Sequence, residues 1–258
     1  MNETPISLVE RPTQELVNLL LTNRDEDEAD SVYWSAMSAL HCRGTVDVFE
    51  AARSLCLSRC PLEQRIGCGI LAQLGCPERP FASASFPLVV SVIRRTDDKD
   101  TLANGLCALG WLADPRGVEV VLRYIGHADS DIRYWVTHAL TAMNEDERSI
   151  EGLILLTNDS DSDVRDWSTF GLGSQTEQDT SAIREALVAR LNDADLIVRG
   201  EALVGLAKRQ DKRVIEPLLQ ALESDAYKDT ASDYAAEALS EIKDIESHPH
   251  LGKWKADA

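Results

Sequence analysis

A segment that recurs along the chain limits its fold more than any other feature. It is clearest in Asp159-Ser-Asp-Ser-Asp-Val-Arg-Asp-Trp-Ser-Thr-Phe-Gly-Leu172. Related segments run from Asp129 to Leu140 and from Asp195 to Leu206. In each, an Asp lies four residues before an Arg, at Asp129/Arg133, Asp161/Arg165 and Asp195/Arg199. An Ile or Val precedes the Arg, and a small residue with a Leu beside it follows six and seven positions later. An Asp or Ser ahead of an apolar-periodic run marks a helix start, where its oxygen accepts from backbone N–H groups that have no partner within the helix. Ile132, Ala139 and Leu140 are seven and eight residues apart, which puts them on one helical face. The small residue lets a neighbouring helix come close. This is a packing pattern, with no catalytic chemistry in it.

Anchored on the small residue and its Leu, seven registers appear: Ala39-Leu40, Ile70-Leu71, Ala108-Leu109, Ala139-Leu140, Gly171-Leu172, Gly205-Leu206 and Ala238-Leu239. Their intervals are 31, 38, 31, 32, 34 and 33 residues. Second amphipathic segments alternate with them, at 15–22, 46–57, 86–95, 118–125, 149–156, 182–191 and 214–222. Sustained period-two alternation is absent, and 14 glycines with 5% aromatic residues favour helices over sheet. The longest interval contains Pro77, Pro80 and Pro87, so an extended connection is expected around 75–85. Paired helices at such intervals cannot bury their apolar faces singly, so they stack into an all-α solenoid.

The Asp-x-x-Val-Arg type core and the Ala/Gly-Leu after it resemble the HEAT repeats, in particular the HEAT-like repeats named after phycobilisome lyases. The likeness is specific in the units carrying Arg133, Arg165 and Arg199. In the outer units Tyr33, Gln64, Leu102 and Ser232 occupy the Arg column. The resemblance implies about seven helix pairs in one right-handed superhelix over residues 12–247, with a lead-in at 1–11 and a tail at 248–258. It further implies that Asp129, Arg133, Asp161, Arg165, Asp195 and Arg199 form a structural ladder between repeats. The helix that each Asp begins would line the concave face.

Columns one, two and five places after the Arg should flank the packed stripe. From the fourth repeat onward they hold Tyr134, Trp135 and His138, then Asp166, Trp167 and Phe170, then Glu201, and last Asp233, Tyr234 and Glu237. A structural repeat does not require rings there, and Trp and Tyr are enriched at binding hot spots. The competing account buries Trp135 and Trp167 between neighbouring repeats. The ten residues named are the candidate protein-binding patch.

The chain has 26 basic and 44 acidic residues, a formal charge of −18, which disfavours nucleic acid and anionic membranes and suits a basic protein partner. That charge also argues against the DNA glycosylases that share this type of fold. Cys56, Cys60, Cys68 and Cys76 lack the close pairing of a structural zinc site. Gly171-Leu-Gly173 lacks the strand–loop–helix setting of a phosphate loop. No His, Ser or Cys spacing supports a catalytic centre, and neither a metal nor a cofactor is expected. The N-terminal residues do not read as a signal peptide and no long apolar run occurs, so a cytoplasmic location is expected. The favoured function is a non-enzymatic, bacterial-type stand-alone binding solenoid, such as an immunity protein or antagonist that masks a basic enzyme. The alternative, implied only by the family resemblance, is a tetrapyrrole (phycobilin) lyase-like or chromophore-handling protein.

Overall fold

In the computed structural model the described residues are 8–23, 32–223, 234–243 and 251. Asp233 and Ser232 lie outside them, as does the tail at 248–258 apart from Leu251, which is buried. Fourteen α-helices and no strands are found among the described residues. They follow one another as seven pairs: α1 Thr13–Thr22 with α2 Val32–Arg43, α3 Val46–Leu57 with α4 Pro61–Gln73, and α5 Ala82–Arg95 with α6 Lys99–Leu112. Then come α7 Val118–Leu122 with α8 Ser130–Ala142, and α9 Glu147–Leu156 with α10 Ser162–Phe170. The last two pairs are α11 Ser181–Arg190 with α12 Leu196–Lys208, and α13 Ile215–Glu223 with α14 Tyr234–Glu241.

The chain divides into two compact units, residues 1–121 and 122–258. In the first, α2, α4 and α6 lie side by side in chain order, and α1, α3 and α5 pack against them and one another. In the second, α8, α10, α12 and α14 form the row of second helices, with α9, α11 and α13 packed behind. All seven anchor pairs are buried, from Leu40 and Leu109 to Leu206 and Leu239. That column is the core of every repeat.

The connection around 75–85 is shorter than expected, because α5 already begins at Ala82. Pro87 lies inside that helix and removes only the bond that its N–H would give to Ser83. The fifth pair also differs from a plain helix. After Phe170, α10 widens into a π turn over Gly171–Gln175. The carbonyls displaced there are collected by Arg209, the C-cap of α12, a residue the sequence pattern does not single out. Its guanidinium donates to the carbonyls of Leu172 at 2.7 Å, Gly173 at 2.8 Å, Gly205 at 3.0 Å, Gln178 at 3.0 Å and Thr176 at 3.2 Å. Here α10 and α12 touch through glycine backbones: a Cβ on Gly205 would lie 2.6 Å from Gly173 Cα.

Asp129, Asp161 and Asp195 are helix N-caps, accepting from the backbone N–H groups of Asp131, Asp163 and Ile197 at 2.9, 3.0 and 2.8 Å. They are not the acids with which Arg133 and Arg165 form their two-pronged pairs. Arg133 instead makes a two-pronged pair with Asp159, Nε and Nη2 each donating at 2.7 Å. Arg165 pairs likewise with Asp193, at 2.9 and 2.8 Å. Both partners sit two residues ahead of the cap, in the loop of the next repeat. Each Arg also donates through Nη1 to two carbonyls of the loop before its own helix: His127 and Ala128 for Arg133, Asp159 and Ser160 for Arg165, Asp193 and Ala194 for Arg199. The physical reason for the different acid is position: the cap carboxylate serves the helix start that follows it, whereas the earlier Asp, while also accepting from the cap residue's N–H, lies where it meets the Arg of the preceding repeat.

Candidate functional site

The first helices of the second unit pack behind the row α8, α10, α12 and α14, leaving the opposite face of the row to side chains from the columns one, two and five places after the Arg. Two kinds of surface meet there. At the α8–α10 end, Tyr134, Trp135, His138 and Trp167 form a closed ring of contacts. Tyr134 meets Trp135 edge-on at 5.2 Å and Trp167 at 5.6 Å between ring centroids, while His138 lies 5.5 Å from Trp135 and 6.0 Å from Trp167. Phe170 extends the cluster from Trp167 at 5.6 Å. Such edge-to-face pairs contribute roughly 0.5–1.5 kcal/mol each beyond area burial. All five rings are half-buried, so Trp135 and Trp167 are not sealed between repeats. Burial pushes the His138 pKa down, which keeps that ring neutral at pH 7.

At the α10–α14 end the surface is acidic. Asp166 and Glu201 are both half-buried on adjacent helices, and the negative charge of Asp166 acts on Glu201. Burial, with Asp195 and Asp163 nearby, pushes the Asp166 carboxyl up to about 6. Burial, then the charge of Asp166, pushes Glu201 up to about 7, against a hydrogen bond from Tyr234 that favours its ionised form. Asp166 Oδ1 is a buried acceptor with no hydrogen-bond partner among the described residues. Tyr234 lies directly over Gly200, where a Cβ would be 2.4 Å from the tyrosine ring. The Gly is therefore part of the site: it makes room for the ring that reaches Glu201. Glu237, one turn along α14, is exposed.

The structure thus brings together Tyr134, Trp135, His138, Trp167 and Phe170 as one group, and Asp166, Glu201 and Tyr234 as a second that adjoins it along α10. Rings and acids are segregated rather than alternating. Val204, in the third column, is buried between helices and adds nothing to the surface. Asp233 falls outside the described residues. Among the described residues no group of three His, Cys, Asp or Glu side chains is arranged to hold a metal, and no helix is long and apolar enough to cross a membrane.

The charge of Glu201 has a measurable cost. Its folded pKa lies above the ordinary value, so the folded state keeps a proton that the unfolded state has released. Stability should fall as pH rises from about 4.5 to about 7 and then level off. Glu201→Gln removes that penalty. After discounting for partial exposure and for the coupling to Asp166, we expect the variant to gain about 1–2 kcal/mol at high pH. That corresponds to about 2–6 °C in Tm near pH 8, with no gap near pH 4.5. Thermal melts at the two pH values check this; a variant no more stable than the parent near pH 8 contradicts it.

An all-α array of paired helices, with its inter-repeat Arg–Asp pairs and a row of second helices bearing the surface groups, defines the class as a helical-repeat solenoid. The HEAT repeats family model matches residues 86–173 and 150–240, together more than half of the chain. The chain belongs to the HEAT-repeat family. Among solved structures, it is similar to the E. coli protein YibA, at 24% identity and a TM-score of 0.72, covering 98% of this chain and 92% of that one. It is also similar to Kap95p in the structure of its complex with RanGDP, at 16% identity and a TM-score of 0.64, covering 98% of this chain and 40% of that one. A computationally designed armadillo repeat protein for modular peptide recognition matches at 14% identity and a TM-score of 0.52, over 76% of this chain and all of that one. At these identities the likeness concerns the fold. No curated protein sequence matches the chain.

Proposed function

We propose that this protein is a non-enzymatic binding scaffold whose second-helix face in residues 122–258 docks a basic protein, in the manner of an antagonist or immunity protein that covers its target. The observation that carries this is the continuous half-buried ring cluster of Tyr134, Trp135, His138, Trp167 and Phe170, adjoined on α10 by Asp166. Rings that are already packed against each other lose little side-chain freedom on binding, which makes them efficient anchors. The adjoining carboxylates and the net charge of −18 favour approach by a positive surface. Similar solenoids support the reading by analogy, since Kap95p binds RanGDP and the designed armadillo protein was made for peptide recognition.

Capture from native lysate, followed by binding kinetics with the captured protein, tests the proposal. Trp167→Ala is expected to weaken binding by at least ~2 kcal/mol, about 30-fold, mainly through faster dissociation. Glu237→Lys, on an exposed carboxylate, is expected to slow association several-fold and to flatten its salt dependence, with little effect on dissociation. Circular dichroism must show both variants folded. If folded Trp167→Ala binds as the parent does, this face is not the docking surface.

A further inference from the structure

Helix α5 carries a surface apart from the rings and acids of residues 122–258. Phe86, Val90 and Arg94 stand four residues apart along it, with Pro87, Ser91 and Arg95 beside them, and together they line an open groove of about 470 Å³. The next first helix, α7, has five residues against fourteen in α5, a rise of about 7.5 Å against about 21 Å, so it cannot cover α5 along its length. Phe86, Pro87 and Val90 make one end of the groove apolar. Arg116 lies over the Phe86 ring there, 4.4 Å from its centre, and Asp114 neutralises it with a two-pronged pair at 2.8 and 2.5 Å. The other end is basic. Arg94 and Arg95 are exposed and form no ion pair with a described residue, and Arg95 donates to the carbonyl of Cys56.

The chain itself bears a complementary stripe. On α9, Glu147, Glu151 and Leu155 also stand four residues apart, and all three are exposed, Leu155 by 61%. Neither glutamate forms an ion pair with a described residue, and their basic neighbour Arg148 is held by Asp146 at 2.7 Å. Along the chain, α5 reads apolar, apolar, basic, and α9 reads acidic, acidic, apolar. Laid antiparallel, the stripes match: Leu155 falls at Phe86, Glu151 beside Ser91 one turn from the arginines, and Glu147 at Arg94. We propose that the α5 groove of one molecule is occupied by α9 of a second copy of this chain. Leu155 of that copy sits on Phe86, Pro87 and Val90, and its Glu147 and Glu151 pair with Arg94 and Arg95. This contact stands apart from the docking of a basic protein, which uses other residues.

Rows of side chains four apart are the ridges that one helix packs into the groove of another, so the equal spacing on α5 and α9 suits a helix-on-helix contact. Charge fixes its direction. A parallel arrangement would put Glu147 on the Phe86 ring and Leu155 against Arg94, which leaves both charges desolvated without partners. Each copy offers one groove and one α9, so the contact repeats head to tail and closes into a ring only if the rotation allows. One helix stripe is a small interface, so the association is weak and depends on concentration. Each copy also carries −18, and this long-range repulsion must be screened. Association is therefore expected to be stronger at 0.15 M salt, with a Debye length of about 8 Å, than at 0.01 M, with one of about 30 Å.

Sedimentation velocity of the full chain, from micromolar to submillimolar concentration at about 0.15 M salt, tests this. The weight-average mass is expected to rise with concentration. Leu155→Ala, Arg94→Glu and Glu147→Lys should each raise the concentration for half-association at least about 10-fold. All three positions are exposed, so each variant is expected to stay folded, which circular dichroism checks. Lys212→Glu, at another exposed position, changes the net charge as Arg94→Glu does and should associate as the parent does. The decisive arm is an equimolar mixture of Arg94→Glu and Glu147→Lys chains. Each then supplies the groove charge that the other's α9 requires, so the mixture should associate although neither variant does alone. A parent that stays monomeric, a Leu155→Ala chain that associates as the parent does, or a mixture that stays apart would each overturn the assignment to a second copy. A monomeric parent would leave the groove to an acidic, apolar segment of another protein.

Discussion

Arg165→Ala is expected to destabilise the second unit by about 3–5 kcal/mol. The guanidinium and Asp193 are 13% and 4% exposed, so removing the Arg leaves a nearly buried carboxylate without its two-pronged partner. It also orphans the carbonyls of Asp159 and Ser160 that Nη1 satisfies at the start of the same repeat. Arg190 moderates the loss, because its Nη1 lies 3.2 Å from Asp193 Oδ2 and can take part of the charge. The lower end of the range is therefore the better expectation. Burial pushes Asp193 up, but Arg165, the Asp195 backbone N–H and Arg190 pull its net pKa below the ordinary value. A depressed carboxylate adds stability above its unfolded pKa, near 3.8, and loses it as pH falls through the folded value. The gap between parent and variant should thus be full at pH 7 and shrink below about pH 4, which denaturant melts at both pH values would show. A folded variant with the parent's stability at pH 7 would mean that the pair is decorative.

The contrast between Asp161 and Asp159 shows how far spacing alone can be read. Both precede Arg165, both are acidic, and Asp-x-Asp recurs at Asp193-Ala-Asp195, so the pattern that marks the ladder is visible in the chain. Position relative to the helix start is also visible, which is why Asp129, Asp161 and Asp195 were legible as caps. What spacing does not contain is which of two acids faces the neighbouring repeat, since that depends on the angle at which one loop crosses the next. The first Asp does double duty: Asp159 Oδ1 and Asp193 Oδ1 accept from the N–H of Asp161 and Asp195 at 2.9 and 3.0 Å, and His127 Nδ1 takes the same role toward Asp129 at 3.1 Å. A His in place of the Asp accounts for the apparent break in the pattern at the fourth repeat.

The surface was legible to a lesser degree, and for a related reason. Column arithmetic puts residues on one face of one helix, but the separation between adjacent helices decides whether a column is open. Val204 and Gly200 occupy the same columns as Phe170 and Asp166, yet both are buried, because α12 lies close to its neighbours. The closeness comes from residues without side chains, and from Arg209 gathering carbonyls across the π turn. Neither the turn nor its cation leaves a periodic trace. The segregation of rings from acids follows: α8 and α10 meet through aromatic bulk, whereas α12 admits only Glu201 and the ring of Tyr234 over its surface.

That account makes Gly205 the point where the packing is least forgiving. In an ordinary helix interior Gly→Ala stabilises by about 0.5–1 kcal/mol, because the unfolded chain loses freedom and the helix gains a better former. At Gly205 the sign should reverse. The added methyl would sit 2.6 Å from Gly173 Cα, a backbone atom of the π turn, and 3.1 Å from Leu187 Cδ1. A leucine tip can swing aside, but Gly173 can retreat only if the turn moves, which pulls its carbonyl and that of Leu172 from Arg209. Overpacking of this kind costs about 1–3 kcal/mol, and the strained carbonyl contacts add to it. Net of the propensity gain, we expect Gly205→Ala to destabilise by about 2 kcal/mol. Gly126→Ala is the matched control, because a Cβ there meets nothing within 4 Å; that variant should be neutral or slightly more stable. Paired denaturant melts decide the matter. Hydrogen exchange adds a local reading, since the loss at Gly205 should appear first in the amides of the turn at 171–175 and at the end of α12. If Gly205→Ala proves as stable as Gly126→Ala, the α10–α12 contact has slack, and the closeness credited with burying Val204 must come from elsewhere.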